Sequence, residues 1–268
     1  DRGYGSNEYI VTGNPIVIVT GPGPGSGKLA TCLGNLYHEY KRGVKAGYAK
    51  FETFPIWDLP IDHKVNIAYE AATVDLDDRI MIDEHHLKAY KKQVVNYNRD
   101  IEAFHLLKRI IEKITGGESM YQSPTDMGVN RASAGIINDR IISDASQQEI
   151  IRRYFRCSVE YVMGIVDKET LNRAVKIMKK VGASEEDRKV VKPSREAAKE
   201  AERKGKGNAG IFCGAAIELK DGTIVTGKNS PLMHASSSLI LNAAKRLAGL
   251  PDNLYLLGPH GDPFGVKI

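Results

Sequence analysis

Cysteine is scarce: Cys32, Cys157 and Cys213 are the only three in 268 residues, and no C-x-x-C is present. An odd number of widely spaced cysteines excludes a disulfide framework and a zinc ribbon, fits a reducing compartment, and reads as free, buried thiols. On that basis a cytoplasmic protein is expected. No apolar run approaches the ~20 residues of a membrane span, and no segment near the start has the charged, apolar, small-residue order of a signal peptide. Aromatic residues are 7% of the chain, with a single tryptophan. The net charge of +5, from 38 basic and 33 acidic residues, is not gathered into a block. Without interleaved basic and aromatic positions, a nucleic-acid platform is not expected.

What is present is ordinary globular material, 42% hydrophobic and 26% charged. Its length suits about two domains, each able to bury a core. Asp1 to Thr12 enters a strand-like run almost at once, as the middle of a protein would, so a fragment of a longer polypeptide is expected.

The most informative stretch is Gly21-Pro22-Gly23-Pro24-Gly25-Ser26-Gly27-Lys28. It joins the apolar run Pro15 to Thr20 to an amphipathic segment, Leu29 to Tyr40. Strand, glycine loop and helix in that order make a phosphate cradle, because a helix start offers unpaired amides and a partial positive charge. Pro22 and Pro24 lack amide hydrogens. The donors therefore fall to Gly23, Gly25, Ser26, Gly27 and Lys28, with Gly21 opening the turn and the Lys28 ammonium on the outer phosphates. Five residues separate Gly21 from Gly27-Lys28, and Leu29 stands where a magnesium-binding hydroxyl is usual. The spacing resembles the dethiobiotin-synthetase-like branch of P-loop enzymes, which implies ATP-driven activation of carboxylates or related oxyanions.

Downstream, Lys45 to Thr53 reads as a second strand and Val65 to Tyr69 as a short third. Asp100 is expected to cap a helix over residues 101–115 that Gly116 ends. Ser123-Pro124-Thr125-Asp126 has helix-start chemistry, and Ser146 to Glu149 reads as a capping box before a helix at 150–165. A further helix is expected over 167–182. Residues 184–206 are charge-rich and read as a solvated helix or linker. The division expected is an α/β portion at 1–118, a helical region at 119–192 and a smaller α/β portion at 193–268.

Chemistry near the loop needs cations for phosphates and carboxylates for magnesium. Lys50 and Glu52, at the end of the second strand, are the candidate catalytic pair. Glu70 and Asp75, after the third, are the candidate metal ligands. Ile80 to Glu84 reads as a Walker B strand or as a helix entry capped by Asp83, the second being favoured. His85 and His86, about 100° apart on a helix, do not form a metal pair by themselves. Arg99 reaches either an anion or solvent.

Residues 215–226 carry a hairpin signal around Asp221-Gly222, followed by a helix from about Ala235 to Ala248. With His234-Ala235 between them, this order resembles the cytidine deaminase fold. Ser236 replaces the glutamate of H-x-E and no cysteine follows Cys213, so deamination and a zinc site are not expected.

The words TGPGPGSGKLATCL, KAGYAKFETFPIWDLP, AYEAATVDL, VNYNRD and SPTDMGVN resemble the bacterial group known as uncharacterised protein family 0371. The resemblance implies a longer protein, extended at both ends, and an apolar residue at the Leu29 position in relatives. It implies no reaction. The expectation is an α/β protein with a P-loop-like parallel sheet, a helical middle and a degenerate deaminase-like portion. It binds a phosphorylated small molecule or nucleotide, and ATP and magnesium are the cofactors to test for phosphoryl transfer or ligation. A homo-oligomer is open, and the alternative is a non-catalytic scaffold.

Overall fold

The computed structural model describes residues 3–23, 25–51, 55–128, 131–254 and 256. It divides after Val181 into two units. Residues 119–181 share a unit with residues 1–118, because the helices Asp139–Val162 and Lys168–Lys180 of the helical region pack on the helix Lys64–Ala72.

In the first unit the glycine loop runs into α1 (Lys28–Lys41). Its buried Leu33 and Leu36 meet Phe104, Ile111 and Met127 in one core. Helix α2 (Lys64–Ala72) occupies the stretch expected as a third strand. A short apolar run has no period of its own, and here Val65, Ile67, Ala68 and Ala71 are buried against neighbouring helices. His63 caps it, Nδ1 accepting from the Val65 amide at 3.2 Å.

Strand β1 (Ile80–Ile82) pairs antiparallel with β2 (Val95–Tyr97), Met81 opposite Asn96. Between them lies α3 (Glu84–Tyr90), capped by Asp83, whose Oδ1 accepts from the His86 amide at 3.1 Å. Asp83 is thus the cap expected, and Ile80–Ile82 before it is a short strand as well. Helix α4 (Asn98–Thr115) starts before Asp100, with Tyr97 at its cap position, and ends at left-handed Gly116. Helix α5 (Asp139–Val162) also starts early, capped by Asn138. Ser146 lies inside it, its hydroxyl donating to the Ile142 carbonyl at 2.7 Å, so the capping box expected there is not one. Helix α6 (Lys168–Lys180) has Asp167 as its cap.

The second unit has α7 (Val191–Arg203), the hairpin of β3 (Gly214–Glu218) and β4 (Ile224–Lys228), and α8 (Ala235–Leu247). Gly214 lies against the α7 backbone: a Cβ there would stand 2.0 Å from the Ser194 carbonyl oxygen. At Gly227 it would stand 2.3 Å from the Leu239 amide of α8. Ala215 pairs with Gly227, so alternation puts Gly214 and Gly227 on opposite faces. The hairpin is therefore held between the two helices.

Both ladders among the described residues are antiparallel and two-stranded. Residues 15–20, and 45–51 of the second strand expected over 45–53, belong to neither; 52 and 53 lie outside the described residues. The cysteines also differ from expectation, since Cys157 is buried, Cys32 half-buried and Cys213 exposed. No helix among the described residues is long and apolar enough to cross a membrane.

Candidate functional site

The glycine loop is built as the sequence requires, Pro24 lying outside the described residues. Gly25 and Gly27 take φ of 74° and 88°, a left-handed backbone natural to glycine. Gly21 leaves room for Ser26, whose Oγ would lie 2.3 Å from any Cβ at position 21. The Lys28 ammonium turns back over the loop, donating to the Gly23 carbonyl at 2.7 Å and to Ser26 Oγ at 3.1 Å. The Thr31 amide donates to the Gly27 carbonyl at 3.0 Å, and glycine has no side chain to cap the helix. The amides that begin α1 therefore lead out of the helix end.

Lys28 and Leu29 line an open cavity of about 980 Å³. Lys50, Arg99, Asp100 and the half-buried Cys32 line it too. Lys50 Nζ lies 2.5 Å from Asp100 Oδ1, so the residue read as a helix cap instead holds the second cation. Arg99 Nη2 lies 3.2 Å from Asp78 Oδ2, an ion pair without hydrogen-bond alignment, and the Asp78 side chain is 1% exposed. Burial pushes the Asp78 carboxyl above the usual range, against the opposite pull of Arg99 and, less, of Lys50. Burial also raises the Cys32 thiol.

Glu52 lies outside the described residues. The two candidate metal ligands are paired elsewhere: Glu70 meets Lys180 at 3.4 Å and Asp75 meets Arg153 at 3.7 Å. Neither lines the cavity with Lys28 and Lys50; Asp75 borders a second cavity of about 420 Å³ beside Arg153 and Arg156. Among the described residues no group of three His, Cys, Asp or Glu side chains is placed to hold a metal.

One wall of the large cavity includes Trp57, Pro124 and Thr125. Behind it is a buried polar network the sequence did not single out. Thr125 Oγ1 lies 3.0 Å from Asp83 Oδ2, 2.9 Å from His86 Nδ1 and 3.0 Å from Ser123 Oγ. Thr125 has one proton, and if it goes to Asp83 then His86 Nδ1–H and the Ser123 hydroxyl donate to Thr125. His85 points instead toward Asp126, 3.5 Å away. Fully buried Asn66 of α2 accepts from the Ile56 amide at 2.8 Å and donates to the Ile56 carbonyl at 2.9 Å, fixing the loop segment that carries Trp57.

The family model described as "Domain of unknown function DUF1846, N-terminal" matches residues 1–182, and "Domain of unknown function DUF1846, C-terminal" matches residues 186–261. The chain belongs to this family. It is 60% identical over 260 residues to a "UPF0371 protein" of Clostridium botulinum (strain Kyoto / Type A2), covering 97% of this chain and 51% of the relative. It is 58% identical over 259 residues to a "UPF0371 protein" of Clostridium tetani (strain Massachusetts / E88), with the same coverage. These agree with the family resemblance carried by the sequence words. The chain spans about half the length of the curated relatives it matches.

Proposed function

We propose that this chain carries the phosphate-binding part of a protein for a phosphorylated small molecule or nucleotide. The supporting observation is that Lys28 of the glycine loop, Lys50 and Arg99 border one cavity. The phosphate sits on the loop amides and Lys28, and Lys50 and Arg99 neutralise further negative charge. Transfer or ligation with ATP is the reaction class in keeping with such a loop. Leu29 supplies no hydroxyl for magnesium, and Glu70 and Asp75 are paired with Lys180 and Arg153. Magnesium, where used, is then carried by the nucleotide or by groups other than these three.

The test is calorimetric titration with ATP, GTP and pyrophosphate, with and without magnesium, of the parent and Lys28→Ala. Loss of one charge-assisted contact weakens binding by about tenfold or more. Equal binding by parent and variant overturns the assignment of the loop. A non-catalytic scaffold is the second reading, favoured by Leu29 and Ser236, each at a position where a catalytic group is usual; nucleotide turnover abolished by Lys28→Ala rules it out.

A further inference from the structure

The run Pro15-Ile16-Val17-Ile18-Val19-Thr20 is built for burial and is not buried. Ile16 is 79% exposed, Val17 50% and Ile18 81%. Successive side chains of an extended chain point to opposite faces, so both faces of the run are open. An uninterrupted β-branched run is the signature of an inner strand covered on both faces. Yet none of its backbone groups takes part in a backbone hydrogen bond or ladder with another described residue. All six residues of the run line the large cavity, as do Leu106, Leu107 and Ile110 of α4.

We propose that residues 15–20 are an inner strand of a sheet completed by a β-segment from the part of the longer family polypeptide outside these 268 residues. The curated relatives have about as much chain again as the part matched here, which is ample for strands and their covering helices. A second copy fits less well. Two strands meeting across a two-fold axis pair along one edge each, leaving the other edge unpaired. A small molecule in the cavity leaves the backbone unpaired as well. The run shares its cavity with Lys28, Lys50 and Arg99, but the proposal rests on its exposed side chains and unpaired backbone and not on those cations.

The test compares amide hydrogen exchange in the 268-residue chain and in the full-length Clostridium botulinum relative, at the positions matching 16–20. A photo-crosslinker is placed at the position matching Ile18 of the relative. The result expected is exchange slower by on the order of 100-fold in the relative, with the crosslink landing outside the matched 260 residues. Equally fast exchange in both proteins overturns the proposal. So does protection of the 268-residue chain that disappears on dilution, or a crosslink between two copies, either of which assigns the strand to a dimer.

Discussion

Arg99 Nη2 stands 3.2 Å from Asp78 Oδ2, and neither oxygen of that buried carboxylate receives a hydrogen bond from the described residues. Burial is the largest influence on Asp78 and raises its proton affinity; Arg99 and Lys50 lower it, while Asp100 and Asp75 raise it further. A carboxyl raised in the folded state contributes stability at acid pH. That contribution is lost as pH climbs from its unfolded value, near 3.8, through the raised one. Asp78→Asn is therefore expected to raise the melting temperature at pH 7, with the gain shrinking toward pH 4. Thermal unfolding of both proteins across that range checks the sign.

The same pair bears on the ligand. An anion that draws Arg99 into the cavity leaves Asp78 buried without its counter-charge, which is costly. Asp78→Asn removes that cost, so pyrophosphate is expected to bind roughly 3- to 10-fold more tightly at pH 7, about 1 kcal/mol. Calorimetry on the variant decides it, weaker binding being the contrary result.

His86 behaves in the opposite sense. Burial lowers its pKa, outweighing Asp83 and Asp126, which raise it, while His85 and Lys92 add to the lowering. A histidine kept neutral by the fold costs stability once pH falls below its unfolded value, near 6.5. Urea midpoints are expected to drop between pH 7 and pH 5, and His86→Gln is expected to flatten that slope. A slope unchanged in the variant assigns the acid sensitivity to other groups.

Much of the local structure was legible because it is written in short-range chemistry. Asp83 caps the helix expected of it, the helix expected over 167–182 is present at Lys168–Lys180, Gly116 ends α4, and Asp221-Gly222 turns the hairpin. Failures came where neighbours decide. Val65 to Tyr69 is equally apolar as strand or helix, and only α5 and α6 settle it. Ser146 and Glu149 have capping spacing, but Asn138 starts the helix first. At the site, Lys28 and Lys50 were readable from their places after apolar runs, and Arg99 as a candidate. Asp78 was not, since one acid in a run of several carries no sign that it alone is buried. Glu70 and Asp75 were misleading for the same reason, their partners Lys180 and Arg153 lying far downstream in the sequence.

Asn66 tests the wall of the cavity. Alanine there leaves the Ile56 amide and carbonyl without their partners in a buried setting. The expected loss is about 2–3 kcal/mol, read from urea denaturation, with faster exchange of amides in the Trp57 loop.

Gly227 tests the second unit. Its missing Cβ lets α8 approach within 2.3 Å of where that atom would stand, and the contact is with backbone, which cannot rotate away. Gly227→Ala is expected to cost about 2–4 kcal/mol, while Gly222→Ala, in the open turn at φ 82°, costs about 1 kcal/mol. Denaturation monitored in the second unit separates the two, and equal losses refute the close packing.

The contact between Gly21 and Ser26 constrains the order in which this loop can change. A side chain at position 21 meets Ser26 Oγ at 2.3 Å and its Cβ at 3.1 Å, so Gly21→Ala requires the Ser26 hydroxyl to turn away from the Lys28 ammonium it accepts from. Once Ser26 has become glycine, the nearest remaining obstacle is the Lys28 stem at 3.2 Å, a flexible chain that can give way. The two positions are thus epistatic: a side chain at 21 costs more with serine at 26 than with glycine there, so the order of the two changes matters.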